Sequence, residues 1–255
     1  MRYVIITKRG LSVICLATII AISVIASLNK RSIDVAAVAG TERLPVYCVE
    51  TDEKKIAVTF DAAWGADDIP QILEILNKHK AKATFFVVGK WVELYPESVK
   101  AIFKAGHEIG NHSYNHSLYS KLSADEISAD VKKCNDAIFK VTGKNPSLFR
   151  FPSGDYSETA VKTVRSDNLQ AIQWNVDSLD WQGLSKEEII RRVVPSAENG
   201  SIILFHNDVK NTPEALDEVL SELSNKGYSF VTVSQLIYQK PYRIDAAGRQ
   251  YKADS

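Results

Sequence analysis

The chain has 255 residues, enough for one large domain with appendages or two small domains, and its 45% apolar composition can fill a buried core. Thirty-one basic side chains balance 31 acidic ones, so the formal net charge is zero and bulk charge points to no nucleic-acid or anionic-surface partner. No repeat period, charge block or low-complexity tract interrupts the chain.

The N-terminus departs from the rest. The 17 residues from Leu11 to Ser27 carry no charge and are flanked by Lys8/Arg9 and Lys30/Arg31. A bilayer core needs about 20 apolar residues in a helix, with about 17 as the lower bound, so this run is just long enough to span. A cleaved signal would need a small-residue site behind the run. Ala37-Val38-Ala39 fits that pattern, although a polar stretch with two cations intervenes. Residues 1–31 are therefore expected to be a transmembrane anchor or a signal segment, and 32–53 a polar linker. The bulk of the chain then lies outside the cytoplasm, held at the cell membrane by one span or secreted after cleavage. Cys15 sits in the apolar run, so only Cys48 and Cys134 are left for a disulfide, and Cys134 in "SADEISADVKKCNDAIFKVTG" reads first as a buried free thiol.

From Lys54 onward, short β-branched or aromatic runs alternate with amphipathic stretches. The strand candidates are "KIAVTFD", "ATFFVVG", "HEIGNHS", "LFRFPSG", "AIQWNVD", "SIILFHN" and "SFVTVSQL". Helices are expected over 67–80, 96–105, 124–142, 158–166, 186–197 and 213–225. Ser123 with Glu126 and Ser185 with Glu188 have the spacing of capping boxes, and Gly106, Gly143 and Gly227 close three of the helices. Seven β-runs alternating with six helices predict a parallel sheet, either open and doubly wound or closed as a barrel. The domain is placed at 54–238, and residues 239–255, which lose apolar periodicity, are expected to be a mobile tail.

The reactive side chains decide between the two sheets. Asp61, His112 and His116, Arg150, Asp177 and Asp180, and His206 all fall at C-terminal ends of strand candidates. A barrel gathers many strand ends around one mouth, whereas an open sheet has one crevice, so a (β/α) barrel of parallel strands is expected. "HSYNH" sets His112 and His116 four residues apart, a spacing that on a helical turn aligns two ligands for one zinc-like ion. Each feature also has a plain structural explanation. Asp61 is where a helix cap would fall, "FPSG" is an ordinary turn, His107 is either a packing residue or a partner to the site, and Trp64, Trp174 and Trp181 suit a core. The set at successive strand ends is harder to explain as packing.

"TFDAAWG", "HSYNH", "RFPSG", "DSLDW" and "ILFH" together resemble the five ordered motifs of the polysaccharide deacetylases, carbohydrate esterase family four, and the resemblance implies α/β architecture in the form of a distorted (β/α) barrel of about seven parallel strands. "GSIILFHNDVKNTPEAL" is most similar to the PdaB-like, sporulation-associated branch. The resemblance implies that Asp61 is the general base and that His112 and His116 hold a divalent ion, zinc or cobalt, which polarises the acetamide carbonyl. It implies that the Ser153 N–H steadies the oxyanion and Arg150 orients Asp61, with His206 as general acid aimed by Asp180. Trp64 and Trp181, in the same loops, are expected to touch substrate.

The family pattern at the first motif is T-F-D-D-G, whose second aspartate completes the metal site, and here that position is Ala62. A methyl group binds no metal, and a missing ligand weakens affinity on the order of a hundredfold. Asp61 itself, Asp67 or Asp68 would have to supply the carboxylate, or the site would be metal-poor and slow. The expected function is a metal-dependent N-deacetylase, a monomer acting on N-acetylated cell-wall glycan, peptidoglycan ahead of chitin-like oligomers, in spore formation. The alternative is a glycan-binding protein on the same barrel with little or no catalysis.

Overall fold

The computed structural model describes residues 43–253. The expected anchor or signal over residues 1–31 lies outside them, and among the described residues no helix is long and apolar enough to cross a membrane. In chain order the elements are β1 (Cys48–Val49), β2 (Lys55–Ala62), α1 (Ile69–Lys78), β3 (Ala83–Val87), α2 (Gly89–Leu94), α3 (Pro96–Lys104), β4 (Glu108–Asn111), α4 (Ala124–Thr142), β5 (Leu148–Arg150), α5 (Glu158–Ser166), β6 (Gln170–Ile172), β7 (Val176–Asp177), α6 (Lys186–Val193), β8 (Ile202–His206), α7 (Thr212–Asn225), β9 (Ser229–Phe230), α8 (Val233–Leu236), β10 (Tyr242–Ile244) and β11 (Arg249–Lys252).

The main sheet runs β6-β5-β4-β3-β2-β8-β7, with every pairing parallel. Read as a ring, this is sequence order from β2 to β8, interrupted once between β6 and β7. Sequential order that returns on itself is a barrel's signature, while a doubly wound sheet reverses direction at a switch point. The expected α/β barrel is thus present in curled, incompletely closed form. Strand β2 is buried on both faces, as a parallel strand covered by helices must be, and Phe60 stacks on Phe85 with ring centroids 4.7 Å apart. Helices α4 and α6 begin with the anticipated capping boxes at Ser123/Glu126 and Ser185/Glu188, and Gly143 ends α4 in the left-handed conformation at φ 71°.

Four expectations need correction. "AIQWNVD" forms two strands because Asn175, between them, turns its side-chain oxygen to accept from the Ile202 N–H (2.9 Å), replacing a ladder bond. "SFVTVSQL" leaves the strand after Phe230, since Thr232 and Gln235 form a capping box that opens α8. The expected linker is part of the barrel from Val46 onward: the Val46 N–H donates to Ala171 O and the Gln173 N–H to Val46 O. The expected mobile tail contributes two strands, with β11 pairing antiparallel to β10 and parallel to β1. Tyr242 and Ile244 are buried and Arg243 between them is exposed, an alternation over three residues too short to stand out in the sequence.

Candidate active site

Parallel pairing brings the strand ends to one mouth. Asp61 on β2 lies opposite His206 on β8 in the ladder, so both side chains rise from the same rim. They line a cavity of about 420 Å³ with His112, His116, Ser153, Trp64, Trp174 and Trp181. Sequence reasoning had placed seven of these residues at the site, and the structure brings all of them together. Trp174, which read as core, forms part of the wall, and its indole N–H donates to Asp177 Oδ2 (3.2 Å).

Asp61 is held by Arg150. The guanidinium, fully buried, donates to Asp61 Oδ1 (2.8 Å), Thr59 Oγ1 (2.8 Å) and the Gln173 carbonyl (3.1 Å), and its carbon lies 4.1 Å from the centre of the Phe86 ring. The other carboxylate oxygen, Oδ2, is 3.4 Å from His112 Nε2. Burial pushes the Asp61 carboxyl up, but His112, Arg150 and His206 outweigh it and hold the pKa below the usual range. With His112 itself neutral near pH 7, Arg150 is the cation in direct contact with the carboxylate. Thr59 and Gln173 were not visible as site residues, because their contribution is a hydroxyl and a backbone carbonyl on strands that read as core.

The histidine pair meets without a helix. His112 and His116 lie in a loop after β4, where Ser113 and His116 adopt left-handed conformations with φ 68° and 60°, which corrects the expected helical turn. The Ser113 hydroxyl accepts from the His116 N–H (2.7 Å) and fixes the loop. The rings meet edge to face with centroids 5.1 Å apart. His112 Nδ1 is 2.9 Å from the Arg150 carbonyl, which can only accept, so the proton sits on Nδ1 and the Nε2 lone pair is free. Burial lowers the pKa of both histidines, that of His112 to about 4, which leaves neutral imidazoles suited to ligation.

A third ligand is missing. Catalytic zinc sites take three protein ligands, and among the described residues no group of three His, Cys, Asp or Glu side chains is arranged to hold an ion. Ala62 is fully buried among apolar side chains. Asp68 is turned elsewhere, accepting the Asp208 N–H (2.8 Å), and neither it nor Asp67 lines the cavity. The residues present therefore fit a metal in part, two imidazoles without the completing carboxylate.

The opposite wall is complete. His206 Nδ1 is 2.7 Å from Asp180 Oδ1, and Asp180, fully buried, also accepts from the His206 N–H (2.8 Å), the Trp181 N–H (2.9 Å) and the Thr212 hydroxyl (2.7 Å). Burial pulls the His206 pKa down, but the hydrogen bond and charge of Asp180, reinforced by Asp61 and Asp177, override it and raise the pKa. Thr212 had no sequence signal beyond its place at a helix start. Ser153 adopts φ 55° in the turn after β5 and lies on the cavity wall. Trp64 and Trp181 stand at the rim, 56% and 57% exposed. His107 belongs to the packing instead: its Nδ1 accepts the Ala83 N–H (3.2 Å) and it does not line this cavity.

Known proteins resemble this chain in sequence and in fold. Residues 49–172 match the polysaccharide deacetylase family. A peptidoglycan-N-acetylglucosamine deacetylase of Bacillus cereus is 40% identical over 75% of this chain and 92% of its own, and the peptidoglycan-N-acetylmuramic acid deacetylase PdaC of Bacillus subtilis is 37% identical over 76% of this chain and 41% of its own. The chain thus spans well under two thirds of some of its curated relatives. Among solved structures, a CE4 family pseudoenzyme from Bacillus anthracis superposes with a TM-score of 0.74 at 34% identity, covering 82% of this chain and 73% of that one. A mutant pseudoenzyme of that family with restored enzymatic activity gives the same TM-score at 36% identity, over 76% of this chain and 71% of its own. With its five motifs gathered at one barrel mouth, the chain belongs to the polysaccharide deacetylase family, hydrolases that act on amide bonds.

Proposed function

We propose that the protein removes acetyl groups from an N-acetylated cell-wall glycan, peptidoglycan in the first place. The observation that carries this reading is the pairing of two buried dyads across one cavity, Asp61 with Arg150 and His206 with Asp180. Amide hydrolysis needs a base to activate water and an acid to protonate the leaving nitrogen, because an amine leaves only with its proton. Asp61 Oδ2, which Arg150 does not engage, takes a proton from water as the water oxygen bonds to the acetamide carbon. The Ser153 N–H faces the developing oxyanion. His206, whose protonated form Asp180 stabilises, gives the Nε2 proton to the nitrogen as the C–N bond breaks, releasing acetate and a free amine. Arg150 and Asp180 position the base and the acid.

His112 and His116 are the residues that would bind zinc or cobalt, but with two ligands present no step above passes through an ion. The buried Ala62 and the likeness to a pseudoenzyme favour a second reading, in which the barrel binds glycan and cuts its amides weakly or not at all. Trp64 and Trp181 serve either reading as stacking faces for sugar rings. Residues 1–31 would hold the barrel on the outer face of the membrane or direct its export, and the motif likeness to sporulation-associated members supports a role in spore formation. The test is acetate release and amine appearance on purified peptidoglycan strands incubated with the full chain, with zinc and cobalt titrated in. Acetate and amine in equal amounts support hydrolysis. Glycan binding without either product selects the second reading.

A further inference from the structure

A second hollow of about 570 Å³ shares Trp174 and Asp177 as walls with the active-site cavity and is also lined by Arg191 and Arg192 on α6. Two acids also line it, yet both are committed to the fold. Asp177 accepts from the Leu179 N–H (2.9 Å) through Oδ1 and from the Trp174 indole through Oδ2. Glu188 accepts from the Ser185 N–H (2.8 Å) in the capping box of α6. The cations are held less tightly: the charge of Arg191 acts on Glu188, whose pKa it helps the Ser185 hydrogen bonds to lower, but without a hydrogen bond between them. Arg192 donates from Nε to the Asp177 carbonyl (2.7 Å), which anchors its stem beside the hollow, and neither arginine forms an ion pair among the described residues.

We infer that this hollow is an extension of the substrate groove in which Arg191 and Arg192 receive a carboxylate carried by the glycan. The inference rests on the glycan reading above and sharpens it: the preferred substrate is an anionic, carboxylate-bearing strand, and neutral N-acetylated oligomers are poor ligands. A guanidinium with its terminal N–H groups free is matched to a carboxylate in charge and in fork geometry. The anchored Arg192 stem reduces the side-chain entropy that binding would otherwise cost. In a cell-wall glycan the carboxylate has two chemical sources, the lactyl ether on the sugar and the acids of an attached peptide. The same site chemistry accepts both.

The experiment uses the full chain as wild type, Arg191→Gln and the Arg191→Gln/Arg192→Gln double variant. The Arg191 side chain is exposed and makes no hydrogen bond among the described residues, so its substitution leaves the fold intact. Dissociation constants are measured by calorimetry for chitotetraose, for glycan strands whose peptides have been cleaved off to leave the lactyl carboxylate, and for uncross-linked strands that keep their peptides. Wild type should bind at least one carboxylate-bearing strand about tenfold more tightly than chitotetraose, and the double variant should lose that preference while its chitotetraose affinity stays unchanged. Which strand responds identifies the source: the peptide-free strand for the lactyl group, only the peptide-bearing strand for the stem. Equal binding of all three ligands by wild type, or an undiminished preference in the double variant, overturns the inference. A charge preference without acetate release supports it while rejecting catalysis. Acetate release without a charge preference does the reverse.

Discussion

The two walls of the cavity differ in how finished they are. On the His206 side, Asp180 accepts four hydrogen bonds and both of its oxygens are used, so the acid is locked in place before substrate arrives. On the Asp61 side, Arg150 holds one carboxylate oxygen, while two neutral histidines face the cavity without the carboxylate that would complete an ion site. The comparison locates the weakness of this site: proton delivery to the leaving group is pre-organised, and activation of water depends on Asp61 with only part of its usual support. A single position, Ala62, accounts for the difference.

Substitutions separate the walls in order of expected effect. Asp61→Asn removes the base and should lower acetate release on the order of a thousandfold, read as kcat on glycan strands, with the Arg150 hydrogen bond retained. Asp61→Ala should in addition cost about 3–5 kcal/mol in denaturant unfolding, since it leaves the Arg150 guanidinium buried without its counter-charge. Ala62→Asp should strengthen zinc binding on the order of a hundredfold, measured by competition with a chelating dye, and raise acetate release with it. Unchanged zinc affinity would mean that the new carboxylate stays in the core where the methyl group packs. Asp180→Asn should cost about tenfold at neutral pH, and the pH profile distinguishes its role from simple packing. His206 works protonated, so activity falls as pH rises through its pKa; Asp180 raises that pKa, and the falling limb must move to lower pH in the variant. Trp64→Ala and Trp181→Ala should each raise KM about three- to tenfold with kcat nearly unchanged, the worth of one aromatic stacking face.

The mouth of the barrel was more legible in the sequence than its edges. Charged side chains at the ends of apolar runs stand out because burial makes them expensive anywhere else, which is why Asp61, Arg150, Asp180 and His206 were all found from pattern. The partners that finish the site were not found: Thr59, Thr212 and the Gln173 carbonyl act through a hydroxyl or a peptide group, and such groups occur everywhere along a chain. The histidine pair was recognised for the wrong geometric reason. Four-residue spacing suggested a helical turn, whereas two left-handed residues, Ser113 and His116, fold the loop back and bring the rings together. The small β1-β11-β10 sheet escaped notice because β1 pairs with a strand some 200 positions away, Cys48 opposite Arg249, and the local β10-β11 pairing spans only three residues, too few for a pattern to stand out.

The most direct test of catalysis by this half-finished site is acetate release from peptidoglycan strands by the full chain and by Asp61→Asn, in metal-free buffer and across a zinc titration. The account predicts slow but measurable release by the wild type that Asp61→Asn abolishes at every zinc concentration. Strands that bind and yield no acetate under any of these conditions would contradict it, and would make the barrel a reader of cell-wall glycan.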